Sequence, residues 1–331
     1  MGRLLGRSGI EVSDIGFGCW AIGGPLTMNG MPDGWGAVDD GESTAAIRRA
    51  FDLGVTFFDT ADVYGAGHSE EVLGRALSGR RDQVVIATKF GYTFDAGQRA
   101  ITGEDASPGY IRQACQASLR RLGTDRIDLY QLHIGDLPAV QAQEVAGTLE
   151  GLVSEGLVRA YGWSTDDPER AAAFAGHSRC AAVQHDLNVL ADAPGMLAVC
   201  GSRGLASISR SPLAMGLLSG KYSAASRLPG DDVRAAQPWV GYFTAGRPAP
   251  EWLERLDAIR AVLASGGRTQ AQGALCWLLA RSARTVPIPG IRTVAQAEQN
   301  AAVLRLAPLT PAEMEEIGRL LDRAPAGARP A

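Results

Sequence analysis

From residue 15 nearly to the C-terminus, short apolar runs alternate with longer stretches whose apolar positions recur three and four residues apart. That alternation is the pattern of strands separated by amphipathic helices. The run "IGFGCW" (15–20) precedes "ESTAAIRRAFDLG" (42–54), where Ile47, Ala50 and Phe51 share one helical face and Gly54 is placed to end the helix. "TFFDTA" (56–61) precedes "SEEVLGRALSG" (69–79), stopped at Gly79. "QVVIATKF" (83–90) precedes a helix with Ser107 as N-cap, Pro108 at its first position and Gly123 past its end. "RIDLYQLHI" (126–134) precedes "AQEVAGTLEGLVSEG", "VRAYGWS" (158–164) precedes "DPERAAAFAG", and "AAVQHDLNV" (181–189) precedes "PGMLAVCGSRG". "LASISRSPL" (205–213) and "RTVPIPG" (284–290) complete the strands, and "TVAQAEQNAAVL" follows the last.

Eight strand candidates, each with a helix to follow, predict an α/β fold of the (β/α)8 TIM-barrel type. The competing doubly wound sheet calls for G-x-G-x-x-G after the first strand. "GFGCWAIGG" has Gly16, Gly18, Gly23 and Gly24 at other intervals, which weakens that reading. With no linker or low-complexity tract, residues 1–331 read as a single domain. The patternless segment 222–250 reads as a long active-site loop. Residues 309–324 read as a C-terminal helix lying across the barrel, and 325–331 as a frayed tail.

Composition narrows the function. The 331 residues are 46% hydrophobic, with a net charge of −4 and a pI near 5.7. No nucleic-acid partner is expected of such a surface, and no window is long and apolar enough for a membrane span. Five scattered cysteines without a C-x-x-C pair read as reduced thiols in a cytoplasmic protein. Four histidines that form no H-x-x-x-H or Cys/His cluster argue against a metal site. Only Lys89 and Lys221 are lysines, against thirty arginines, so each marks a place where a compact amine differs from a guanidinium.

In a barrel of this type the chemistry gathers at the carboxyl ends of the strands. There the chain breaks its apolar pattern with Asp59 and Tyr64 after the second strand, Lys89 after the third, His133 after the fourth, Ser164 after the fifth and Gln184 after the sixth. Together these residues suit reduction of a carbonyl, in which the alkoxide formed by hydride addition needs an acid to protonate it. A free tyrosine is a sluggish acid at neutral pH, with a pKa of about 10. Lys89 is expected to lower that value at Tyr64, and Asp59 to hold Lys89 in place. His133 is expected to donate to the carbonyl oxygen.

"FFDTADVYGAGHSE", "VVIATKF", "RIDLYQLH", "AYGWST", "SPLAMGLLSGKY" and "IPGIRTVAQAEQN" together resemble the aldo-keto reductases, in order and over roughly residues 3 to 320. The likeness is to the branch that includes bacterial general-stress reductases and potassium-channel β-subunits. It implies a barrel that binds NADP(H), with NADH the less favoured cofactor, and that reduces a small-molecule aldehyde or ketone. By that likeness Asp59, Tyr64, Lys89 and His133 match the catalytic tetrad, with Tyr64 the proton donor. Ser164, Thr165 and Gln184 match positions near the nicotinamide amide, Thr165 standing where the family usually has Asn. Arg210 replaces an aromatic residue and either stacks on the nicotinamide or pairs with a cofactor phosphate. Ser211, Pro212, Leu213, Gly216, Leu218 and Lys221 match the pyrophosphate loop. Gly290, Arg292, Thr293, Gln296, Gln299 and Asn300 match the adenosine end, Arg292 facing a 2′-phosphate. Trp20, with Tyr92, Trp239, Tyr242 and Phe243, is expected around the substrate. The same likeness leaves a second reading open, a nicotinamide-binding sensor subunit with little turnover.

Overall fold

The computed structural model describes residues 2–323, so the tail expected over 325–331 lies outside the described residues. One sheet holds eight parallel strands: β1 (Gly16–Gly18), β2 (Phe57–Asp59), β3 (Val85–Phe90), β4 (Ile127–Leu132), β5 (Val158–Ser164), β6 (Cys180–Asp186), β7 (Ala206–Arg210) and β8 (Thr285–Pro287). Each pairs with the next in chain order. The circle closes where Gly18 bridges Gly290, the Gly18 N–H donating to the Pro289 carbonyl at 2.9 Å. A Cβ at Gly18 would lie 2.7 Å from the Ile288 carbonyl oxygen, so this seam requires glycine. The barrel expected from the alternating pattern is the fold observed.

Period two assigns the faces of each strand. Phe57, Ala87, Leu129, Ala160, Ala182, Ile208 and Val286 point inward and form one buried cluster. Phe58 and Ile86 point outward to helices on one side, and Tyr130, Leu132, Tyr161 and Trp163 to helices on the other. Below the strands' amino ends a hairpin of Gly2–Leu4 and Glu11–Ser13 packs Leu5, Ile10 and Val12 into the interior cluster and plugs the barrel. Its turn begins at Gly6, where φ is 52° and an added Cβ would lie 2.2 Å from the Ala181 carbonyl oxygen.

The outer helices are α1 (Asp40–Asp52), α2 (His68–Ala76), α3 (Pro108–Leu122), α4 (Ala139–Ser154), α5 (Pro168–Phe174), α6 (Pro194–Arg203), α7 (Pro250–Leu263), α8 (Gln270–Arg281), α9 (Val294–Ala301) and α10 (Pro311–Leu320). Local chemistry sets their ends. Ser107 accepts from the Tyr110 N–H at 3.3 Å, Pro108 opens α3, and Gly123 closes it with φ at 62°. The pattern calls for a helix after β7 without placing one; two helices, α7 and α8, fill that interval. Nine of the twelve residues of α8 are buried, so it carries little contrast between its faces.

Two structures frame the barrel mouth. A four-stranded sheet combines Met31–Pro32, Thr27–Met28, Ala100–Glu104 and Tyr92–Asp95 in that spatial order. The segment 222–250, read as patternless, contains a one-turn helix at Val233–Ala236 and a hairpin of Phe243–Thr244 with Arg247–Pro248. Buried Arg234 anchors it, donating to the Met215 carbonyl at 2.9 Å and the Tyr222 hydroxyl at 2.8 Å and pairing with Asp232 at 2.6 Å. All five cysteines are buried and unpaired. Among the described residues no helix is long and apolar enough to cross a membrane.

Candidate active site

Strand alternation carries polar residues onto the inner face only at the carboxyl ends. Asp59 ends β2, Lys89 is the inward residue above Ala87, and Gln131 sits between Leu129 and His133 on β4. Register then brings them together, since Lys89 pairs with Gln131 across β3 and β4. Lys89 has no solvent exposure. Its ammonium donates to Asp59 Oδ1 at 2.6 Å, to the Thr60 carbonyl at 2.8 Å and to the Tyr64 hydroxyl at 3.1 Å. The other Asp59 oxygen accepts from Gln131 Nε2 at 3.0 Å and from Gln184 Nε2 at 2.8 Å. Both carboxylate oxygens are therefore satisfied, as a buried charge requires.

Gln131 was not among the residues singled out from sequence. Its only signal is the two-residue spacing to His133, which places both on the inner face. The Gln184 amide N–H groups face Asp59 at 2.8 Å and Gln131 at 3.3 Å and leave its side-chain carbonyl oxygen free to accept.

The loop after β2 carries Tyr64 over this base. Its ring stacks on Trp20 at 6.0 Å and meets His133 edge-on at 5.8 Å. Burial raises the Tyr64 phenol above its ordinary value and outweighs the pull of Lys89 in the other direction. The net direction is thus opposite to the lowering expected from Lys89, and the phenol keeps its proton at neutral pH. Burial opposes the Lys89 charge, but Asp59 and Tyr64 outweigh it, and the ammonium sits above its ordinary value. Burial, with Lys89 and Arg210 nearby, holds His133 well below the usual histidine range, so the ring is neutral. His133 Nδ1 is buried and has no partner.

These groups form the floor of a cavity of about 1160 Å³. Asp59, Tyr64 and His133 line one part of it, and Trp20, Ser164, Thr165, Gln184, Arg210, Ser211, Pro212, Leu213, Gly216 and Lys221 line its walls. Gly290, Arg292, Gln296, Gln299 and Asn300 line it as well. Leu218 is buried in the core instead, and Thr293 caps α9 by accepting from the Gln296 N–H. Thr165 donates its hydroxyl to the Gly135 carbonyl at 2.7 Å. Arg210 is ion-paired with Asp166, a residue the sequence reading did not single out. The Arg292 guanidinium donates to the Trp35 and Ala37 carbonyls at 3.1 and 2.6 Å. Lys221 is exposed, its ammonium 5.0 Å above the Tyr222 ring. In the loop 211–220, Ser211, Ala214, Met215 and Gly216 all take positive φ, a strained backbone of the kind that clusters at ligand clamps. Of the aromatic residues expected at the mouth, Tyr92 and Trp239 line the cavity, Trp239 stacking on Trp20 at 6.0 Å. Tyr242 and Phe243 are buried in the core beneath it.

The profile of the Aldo/keto reductase family matches residues 14–322. Aldo-keto reductase yakc of Schizosaccharomyces pombe, whose name carries NADP(+), is 31% identical over 333 residues, covering 97% of this chain and 92% of its own. The glycerol dehydrogenase of Gluconobacter oxydans superposes with a TM-score of 0.82 at 28% identity, covering 100% of this chain and 98% of its own. An aldo/keto reductase of Klebsiella pneumoniae, solved with NADP and acetate, superposes at 0.74 with 27% identity, over 99% and 98% of the two chains. With the barrel, the Asp59–Lys89–Tyr64 chain and a profile match over nearly its whole length, the chain belongs to the aldo/keto reductase family of oxidoreductases.

Proposed function

We propose that the chain reduces an aldehyde or ketone to an alcohol with NADPH, Tyr64 supplying the proton. The observation that carries this reading is the unbroken line of contacts from Asp59 through Lys89 to Tyr64 on the cavity floor. A bound reduced nicotinamide would supply the hydride. The cavity suits such a group: its volume exceeds the ~300–1,000 Å³ of ordinary ligand pockets. Its wall also contains Trp35, Ser219 and His133, whose buried Nε1, Oγ and Nδ1 atoms have no partners in the protein. Ser164, the free carbonyl of Gln184 and Arg210 would hold the nicotinamide end, and the strained 211–221 loop with Lys221 the pyrophosphate. Arg292 keeps three of its five N–H donors unused and would take a 2′-phosphate, which favours NADPH over NADH.

Neutral His133 donates to the carbonyl oxygen and polarises it. Tyr64 passes its proton to the alkoxide oxygen, and Lys89 stabilises the phenolate left behind. Asp59 fixes Lys89 so that the ammonium cannot turn away. The five reduced, buried thiols fit a cytoplasmic setting.

The test is NADPH oxidation against a panel of aldehydes, with Tyr64→Phe as control. The expected result is turnover by the parent and a loss of roughly 10²- to 10⁴-fold in the variant, with NADPH affinity retained. Cofactor binding without turnover of any carbonyl by the parent would replace this reading with that of a sensor.

A further inference from the structure

The wall above Tyr64 contains one charge that the proposed reaction does not use. Residues Thr27–Met28 and Met31–Pro32 form a hairpin in the mouth sheet, with Met28 opposite Met31. The Asp33 N–H donates to the Leu26 carbonyl at 2.8 Å and extends the pairing by one step. Alternation then puts Leu26, Met28 and Asp33 on one face, and all three line the cavity. The neighbouring strands add Tyr92 and Ile101 to the same wall. Asp33 is thus a carboxylate set among apolar side chains.

It is also without a partner. Asp33 is only 8% exposed, and its Oδ1 is buried with no hydrogen bond. Among the described residues no basic side chain pairs with it. The cavity's four arginines are engaged elsewhere: Arg170 on Asp167, Arg210 on Asp166, Arg234 on Asp232 and Arg292 on backbone carbonyls. Burial pushes the Asp33 carboxyl up to about 6, still ionised at neutral pH. A buried carboxylate with an unmet acceptor is costly unless a donor meets it. Nothing in the hairpin requires an acid, since its pairing uses only backbone.

We infer that Asp33 reads the end of the substrate remote from its carbonyl, and that the substrates are aldehydes or ketones bearing a hydrogen-bond donor there, an ammonium or a hydroxyl. This rests on the carbonyl-reductase reading, which supplies the other end of the substrate.

The test uses three aldehydes of equal length: a plain alkyl aldehyde and its terminal hydroxyl and ammonium analogues. kcat/KM with NADPH is measured for the parent, Asp33→Asn and Asp33→Leu. The readout is the ratio of each donor-bearing aldehyde to the alkyl one within each protein, so a partly misfolded variant does not distort it. The parent is expected to favour a donor-bearing aldehyde, mainly through KM. Asp33→Leu is expected to lower that ratio on the order of 10- to 100-fold, the range for a hydrogen bond to a charged group. Asp33→Asn should keep part of a hydroxyl preference, because its amide oxygen still accepts, and lose an ammonium preference. Whichever analogue responds identifies the donor. Ratios that are the same in all three proteins overturn the inference while leaving the reductase reading intact; a parent that reduces none of the three overturns both.

Discussion

Lys89 holds Asp59, the Thr60 carbonyl and Tyr64 at once without touching solvent. Removing it strands a buried carboxylate. Lys89→Met is therefore expected to cost about 3–5 kcal/mol of stability, measured by urea unfolding, as well as turnover. Adding Asp59→Asn should recover much of the stability and none of the activity, a double-mutant cycle that separates the two roles. Because burial keeps His133 neutral, no limb of kcat/KM near the ordinary histidine value should belong to His133. A limb at that pH which vanishes in His133→Asn would contradict the neutral ring. Asp59, Lys89 and His133 were legible because each interrupts an apolar run at a strand's end, and Tyr64 because it stands in the glycine-punctuated loop just after one. Gln131 was not, since its meaning comes from the register of β4 against β3 and from the position of Asp59 two strands away. The direction of the Tyr64 shift was illegible for a related reason: burial depends on Trp20, His133 and the loops above, not on the neighbouring lysine alone.

At the scale of elements, the barrel strands were legible from apolar runs, and helices such as α3 from their caps. The two-residue strands of the mouth sheet were not, since period two needs more positions than they have. The cap of α10 allows a direct test. Glu313 bonds Ser265 and the Thr310 N–H and pairs with Arg268. These contacts, the Ser265 hydroxyl first, pull its carboxyl from the ordinary 4.5 down to about 2. A lowered folded-state pKa gives stability that is present above about 4.5 and is lost as pH falls toward 2. Glu313→Gln should flatten the stability profile across that window and leave it nearly parallel to the parent's above it, as followed by thermal melts at stepped pH.

For the molecule as a whole, the plugged lower end leaves the loop-lined mouth as the way in, and the plug's own turn is tightly fitted. Gly6→Ala would drive a Cβ against backbone carbonyls at a positive φ, and should cost more than the ~1–3 kcal/mol of a strained backbone alone. Gly9→Ala, also at positive φ but with no atom within 4 Å, should stay within about 1–2 kcal/mol; guanidinium melts compare the two. The use of arginine nearly everywhere has a practical result at this scale. Of the two lysine side chains, Lys89 is sealed inside the barrel and Lys221 stands exposed on the cavity's rim. A mild acylating dye would thus tag Lys221 at the doorway and leave Lys89 untouched.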